Sequence, residues 1–351
     1  VSIRTFSFTP SVRLRRIVLW GSLFCAGVLC LLCLCLLVGL APVRPFVKKE
    51  HMFTVQSGVG ARKVIHELRN ARLIRSEWAA RLYVFARALN FKAGSYAVSP
   101  TMSAVRILTM LDDVEQQRFI KVTVPEGLTV KKIAALLQDA TVVSAAAFVE
   151  ACTSAALRTR YKIPAPSVEG FLYPDTYFFS YQERAANVVG TMIENFLAKT
   201  SQLPSFPGDP VARFKTVILA SIVEREYRVA SEAARIAGVF YNRMKVNMGL
   251  QSCATVEYVI TEIEGKAHPE RLFFKDLEID SPFNTYKCAG LPPAPISNPG
   301  LTALNAALHP EVHDFFYFRL TDPQAGTHTF TKTLDEHDQA GLMLLKKNTG
   351  M

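Results

Sequence analysis

The chain has 351 residues, half of them hydrophobic and a fifth charged, with a formal net charge of +10. That length suits roughly two folded domains with sizeable cores. A basic balance invites nucleic acid as a partner, but no helix-turn-helix signature, zinc-finger spacing or RNP-like aromatic strand occurs. The lysines and arginines are spread along the chain, so an anionic polymer or a membrane surface fits the charge, and no nucleic-acid partner is expected.

From Ile17 to Val43 there is no charged residue, and Ile17 to Ala41 is almost wholly apolar. About 20 such residues suffice to span a bilayer. Arg13, Arg15 and Arg16 lie just before the run and Arg44, Lys48 and Lys49 follow it. The run outlasts a signal-peptide core, and Pro42 is a poor residue after a cleavage site. No small residue precedes Cys25, Cys30, Cys33 or Cys35, as a lipoprotein leader would need. The expectation is an uncleaved single-pass helix over 17–41, with residues 1–16 as a cytoplasmic tail. Only Cys152, Cys253 and Cys288 lie outside the span, which is no disulfide framework and no metal pattern. A bridge between Cys253 and Cys288 is left open, since both lie in motif-like segments.

Residues 42–118 read as a basic linker and a small α/β module. A strand (52–56) leads through a turn at 57–60 to a helix (62–71), a second helix (76–89), a strand near 93–96 and a helix (103–111) opened by a Ser/Thr cap. A larger unit starts at 119, with an alternating strand (119–124), a Pro-Glu-Gly turn and helices over 129–137 and 144–155. Val168–Phe179 is dense in aromatics and contains a Pro-Asp turn. It reads equally well as a sugar-holding surface or a core strand, and Glu169 and Asp175 could offer a carboxylate. A helix over 185–197 and a loop over 204–210 follow.

The stretch 217–258 organises the rest. An apolar helix runs into Glu224 and Glu226, and a second helix (231–244), capped at Ser231-Glu232, ends in Asn242-Arg243. The polar segment Gln251-Ser252-Cys253-Ala254-Thr255 comes next. At i−3, i−4 and i−7 from Glu226 lie Val223, Ile222 and Leu219; from Glu224 lie Ser221, Ala220 and Val217, a smaller and wetter face. The two carboxylates are about 200° apart around the helix and are expected not to share a cleft. Burial against aliphatic groups favours the neutral carboxyl, so Glu226 is the better candidate for a general acid. Residues 281–300 are dense in proline and form an extended wall rather than a helix, from which Asn284, Thr285 and Tyr286 project. A helix (301–308), strands at 315–320 and 328–330 and a helix (334–347) complete the chain. The histidines lack metal-ligand spacing, and no metal or cofactor is expected.

The segments ASIVEREY, VFYNRM, GLQSCATVEY, SPFNTYKCAGLPPAPISNPG and HTFTKTLDEH occur in the order and at the spacing of one family. Through them the chain resembles the MltG (YceG-like) family of membrane-anchored endolytic murein transglycosylases. The resemblance implies an α+β fold with a transmembrane helix, a LysM-like module within 42–118 and a catalytic domain over 119–351, with the acid on a buried helix. A similar EG-(aromatic)-PDT segment leads into that domain. The catalytic glutamate falls on Glu226. The family mechanism implies cleavage of the MurNAc–GlcNAc bond to a 1,6-anhydro-MurNAc end, with Asn242, Gln251, Thr255, Asn284, Thr285 and Tyr286 as candidate substrate contacts. It also implies an inner-membrane location with a periplasmic catalytic domain, peptidoglycan strands as substrate and proximity to peptidoglycan synthases. The sequence departs from the family's common pattern at Tyr227, where a small hydroxyl residue is usual, and at Cys253-Ala254, where many members carry Asp-Pro. Two other readings stand beside it: a muramidase-type hydrolase pairing Glu226 with Asp175 or Glu169, and a non-enzymatic peptidoglycan-binding scaffold.

Overall fold

The structure is a computed structural model describing residues 12–46, 50–56 and 58–349. The chain divides into two compact units, 1–119 and 120–351, and its architecture is mixed α+β. Residues 1–11 of the expected cytoplasmic tail lie outside the described residues.

The first unit opens with α1 (Val12–Leu40). Its stretch Trp20–Leu40 is long and apolar enough to cross a membrane, and its side chains are almost all uncovered by protein. After it come β1 (His51–Val55), α2 (Ala61–Asn70), α3 (Glu77–Arg87), β2 (Gly94–Val98) and α4 (Ala104–Asp112). β1 and β2 pair antiparallel, with Phe53 opposite Tyr96. The 3.6-residue spacing of Val64, Ile65 and Leu68 turns one face of α2 inward, where it meets Ile107, Leu108 and Leu111 of α4 in a single core. Ser76 and Ser103 cap α3 and α4 by accepting the backbone N–H three residues on. Tyr96 is sealed inside this core, its hydroxyl donating to the Lys92 carbonyl.

In the second unit β3 (Ile120–Thr123) pairs antiparallel with β4 (Thr176–Phe179) across α5 (Val130–Asp139), α6 (Ala145–Thr153) and α7 (Ala155–Tyr161). The run expected as one helix over 144–155 breaks at Ser154 into α6 and α7. Then come α8 (Ala185–Thr200), α9 (Pro210–Glu226), α10 (Ala233–Lys245), α11 (Cys253–Tyr258) and α12 (Leu301–Leu308). The hairpin β5 (Tyr317–Asp322) and β6 (Thr327–Thr331) and the helix α13 (Leu334–Thr349) end the described chain. The proline-dense 281–300 segment carries no helix, because the rings remove donors and fix φ.

The aromatic segment 168–179 belongs to the core. Phe171, Tyr173, Tyr177 and Phe179 are buried, and Phe171 meets Phe196 of α8 edge to face at 5.1 Å. Gly170 is held there at φ +88°, and a Cβ would lie 2.6 Å from the Pro295 ring. Asn298 locks the two segments together. Its Oδ1 accepts the N–H of Gly170 and of Leu172, both at 2.9 Å, and its Nδ2 donates to Leu128 O and to Glu169 Oε1. Asn298→Ala strands these buried groups and is expected to cost about 3 kcal/mol of stability. Chemical denaturation measures it, and a loss under about 1 kcal/mol would mean the lock is not what joins the segments.

Candidate active site

α9 begins with Asp209 accepting the Ala212 N–H and Pro210 in the first turn, where a missing donor costs nothing. Its middle, Val217 to Val223, is buried at every position, so this is the central helix of the core. It packs chiefly on α12; its first two turns, 210–216, lie at or near the surface, and past the buried middle it surfaces again in its last turn, at Glu224, Arg225 and Glu226. Tyr227 turns to extended backbone and ends it. The carbonyl end of a helix disfavours anions, so both carboxyls start from a site that favours their neutral form.

Both carboxylates line one cleft of about 610 Å³. The expectation that they could not share one is therefore corrected. The cleft wraps around the exposed end of α9 instead of lying along one face, so opposite directions on the last turn open into the same space. The contrast between a wet and a dry face also disappears, since Val217, Ala220 and Ser221 are as buried as Leu219, Ile222 and Val223. The cleft is closed by Glu126 and Gly127 after β3, by Cys253, Ala254 and Glu257 of α11, by Phe318 to Leu320 of β5, and by His328 of β6.

What separates the two acids is their partners. Glu224 accepts the Gly300 N–H at 2.9 Å, capping α12, and the Tyr227 hydroxyl at 3.2 Å. Burial, against these donors and beside Glu126, pushes its pKa up to about 7. Tyr227 thus serves Glu224 rather than the neighbouring acid. Glu226 accepts one hydrogen bond, from the Ser252 hydroxyl to Oε1 at 2.5 Å. Among the described residues its other oxygen has no protein partner. It lies at the floor of the cleft, partly open to water yet crowded by protein, and burial is the main cause that raises its pKa. Ser252 pulls the value down and the charge of Glu257 pushes it up, while His328 and Arg225 pull it down. Glu257 is itself paired with Arg225 at 3.0 Å.

Ser252 is held from behind. It precedes α11, and its side chain makes no cap bond because it is given to Glu226. Its N–H donates to Thr285 Oγ1 at 3.0 Å and its carbonyl accepts the Thr255 hydroxyl at 2.7 Å, while the two threonine hydroxyls meet at 2.9 Å. Asn284 fixes the loop that carries Thr285, donating to Leu277 O and Ile279 O and accepting the Tyr286 N–H. Thr255, Asn284 and Thr285 are buried and form this support behind the acid's partner. Gln251 is exposed at φ +49°, its N–H on Thr285 O. Tyr286 is partly exposed, with its hydroxyl 3.2 Å from Cys253 Sγ. Asn242 is elsewhere: its Nδ2 donates to His313 O and Phe315 O and anchors the approach to β5. None of these six lines the cleft itself.

Several other expectations change. Glu169 is buried on the Val130 N–H and Asn298, and Asp175 pairs with Asn195 and Lys199, so neither reaches the cleft. Cys253 and Cys288 are free thiols. Glu232 does not cap α10; it is buried and takes both the backbone N–H and Nδ1 of His328, the latter at 2.7 Å. This His328–Glu232 pair in the cleft wall, like the Ser252 contact, joins residues far apart in the chain, and no local pattern announces it. α11 was also missed: six residues opened by polar ones give little periodic signal. Among the described residues no group of three His, Cys, Asp or Glu side chains could hold a metal ion.

The model of the YceG-like family matches residues 53–341. Over 86% of the chain, an endolytic murein transglycosylase of Bacillus subtilis strain 168 is 32% identical, with 86% of that protein covered. The endolytic murein transglycosylase of Streptococcus pneumoniae serotype 2 is 25% identical over 86% of the chain, which spans only 59% of that longer relative. The crystal structure of a yceG-like protein from Listeria monocytogenes matches with a TM-score of 0.56 and 30% identity, covering 84% of the chain and 99% of its own. A family model that takes in both units, with a relative aligned along most of its own length, makes the assignment: the chain belongs to the YceG-like family.

Proposed function

We propose that this chain is an endolytic murein transglycosylase whose general acid and base is Glu226. The observation that carries the reading is the Glu226 carboxyl itself: desolvated, held through one oxygen by Ser252, and with the other oxygen unpartnered in the cleft. Such a group keeps its proton to higher pH than an ordinary glutamate and can give it to a leaving oxygen. In the reaction Glu226 donates its proton to the oxygen bridging MurNAc and GlcNAc, and the C1–O bond breaks. The carboxylate left behind takes the proton of the MurNAc C6 hydroxyl, whose oxygen bonds to C1. The product ends in 1,6-anhydro-MurNAc, the proton count balances and no water is consumed.

Gln251 and Tyr286, whose side chains are at least partly exposed, are the proposed substrate contacts; Thr255, Asn284, Thr285 and Asn242 act by holding the site together. Residues 42–118 enter the proposal as a LysM-like, glycan-holding module, one that does not depend on Tyr96 because that ring is sealed in the core. The apolar helix α1 fits a membrane anchor. The proposed setting is the inner membrane with the catalytic domain in the periplasm, near peptidoglycan synthases.

One observation favours a second reading. Glu224 supplies another carboxyl of raised pKa in the same cleft, so a hydrolase would pair Glu226 with Glu224 rather than with Glu169 or Asp175. Digestion of uncrosslinked glycan strands in heavy-oxygen water separates the two. A transglycosylase leaves product ends free of the isotope, whereas a hydrolase places one heavy oxygen on each new reducing end.

A further inference from the structure

The first unit carries an apolar stripe with no partner. Trp78, Leu82 and Phe85 of α3 lie at i, i+4 and i+7, on one side of the helix, and are 55%, 40% and 85% exposed. The other side of α3 is spent on packing, with Ala79 and Ala80 buried. Such a stripe on an 11-residue helix is too large to be scattered surface leucines and needs a cover.

The position of α3 says what covers it. Gly39, in the last turn of α1, packs directly on α3: a Cβ there would lie 2.9 Å from Ala79 Cβ and 3.1 Å from Ser76 Cβ. Just past the end of α1, Arg75 Nε donates to the Pro42 carbonyl at 2.8 Å, and Arg44 N–H donates to Pro100 O. The module is thus seated against the end of the apolar helix, where a spanning helix leaves the hydrocarbon. The stripe is about a quarter turn around α3 from Ala79, the residue that meets α1. An exposed Trp and Phe beside basic residues is the composition of a bilayer interface. Residues 61–92 hold eight Lys and Arg against two Glu, which suits an anionic phosphate layer.

We propose that the Trp78–Leu82–Phe85 face of α3 is a second membrane contact, its side chains dipping past the headgroups to the ends of the acyl chains of the bilayer that α1 crosses. The inference rests on the reading of α1 as a span. It makes the module a surface-bound foot instead of a freely swinging tether.

The chain holds two tryptophans, Trp20 in α1 and Trp78 in α3, so single-tryptophan versions of the whole protein test it. Trp20→Phe reports on the stripe and Trp78→Phe on the span, each in vesicles of phosphatidylethanolamine and phosphatidylglycerol with brominated acyl chains. Both emissions are expected to fall by about half or more relative to unbrominated vesicles, since quenching needs contact with the chains. Quenching of Trp20 without quenching of Trp78 overturns the proposal and leaves the anchor standing. No quenching of either overturns both. A Trp78 emission shifted to the blue yet untouched by brominated lipid, or altered only by added glycan strands, assigns the stripe to a second copy or to sugar and also overturns it.

Discussion

Glu226→Gln is expected to lower the rate of glycan-strand cleavage by about a thousandfold, the middle of the range for losing a positioned general acid and base. Glutamine keeps the shape of the side chain and its carbonyl oxygen still accepts from Ser252, so the 2.5 Å contact has a like-sized replacement. What it lacks is a proton to give and a carboxylate to take one back. Removing a buried ionisable group also removes the desolvation that raises its pKa, so the variant should unfold no earlier than the parent. Steady-state cleavage of purified strands, with thermal unfolding alongside, checks both halves. A variant within about tenfold of the parent rate would remove Glu226 from the chemistry.

Ser252→Ala carries the second-largest effect and has a signed signature. The Ser252 hydroxyl donates to the carboxylate and pulls the Glu226 pKa down against burial. Without it the pKa rises further. The acid step needs the proton and is lost as pH rises through that pKa, so the alkaline limb of the pH–rate profile moves to higher pH. The plateau falls by about ten- to a hundredfold, because a hydrogen bond to a charged group worth roughly 1.5–3 kcal/mol no longer orients the carboxyl or stabilises its ionised form. Glu257→Gln should move the same limb the other way, since the Glu257 charge opposes a second anion beside it. Movement of both limbs in one direction would mean that Glu226 is not the titrating group.

Local chemistry made much of the fold legible. The uninterrupted apolar run of α1, the Ser103 cap of α4, the proline wall over 281–300 and the apolar helix ending in carboxylates all act within a few residues of chain. The choice of Glu226 over Glu224 rests on helix faces, and the faces are alike because α9 is buried all round over 217–223. The distinction instead comes from hydrogen bonds that span the chain. Gly300 reaches back to Glu224 across 76 residues, Ser252 reaches Glu226 across 26, and Glu232 meets His328 across 96. Periodicity carries no trace of such pairs, since each partner satisfies its own helix or strand pattern. The same holds for Asn242, Thr255, Asn284 and Thr285, whose polar side chains read as sugar contacts and are committed to backbone groups and to one another.

The most direct measurement sets Glu226→Gln beside Glu224→Gln on one preparation of uncrosslinked glycan strands and reads the product masses. Glu224 is tied to the Gly300 N–H and to Tyr227, so its loss is expected to leave cleavage within about tenfold of the parent, with an anhydro-MurNAc end formed at each bond cut. Glu226→Gln should leave the strands intact. Intact strands with Glu224→Gln and cleaved strands with Glu226→Gln would contradict the account and move the acid two residues up the helix.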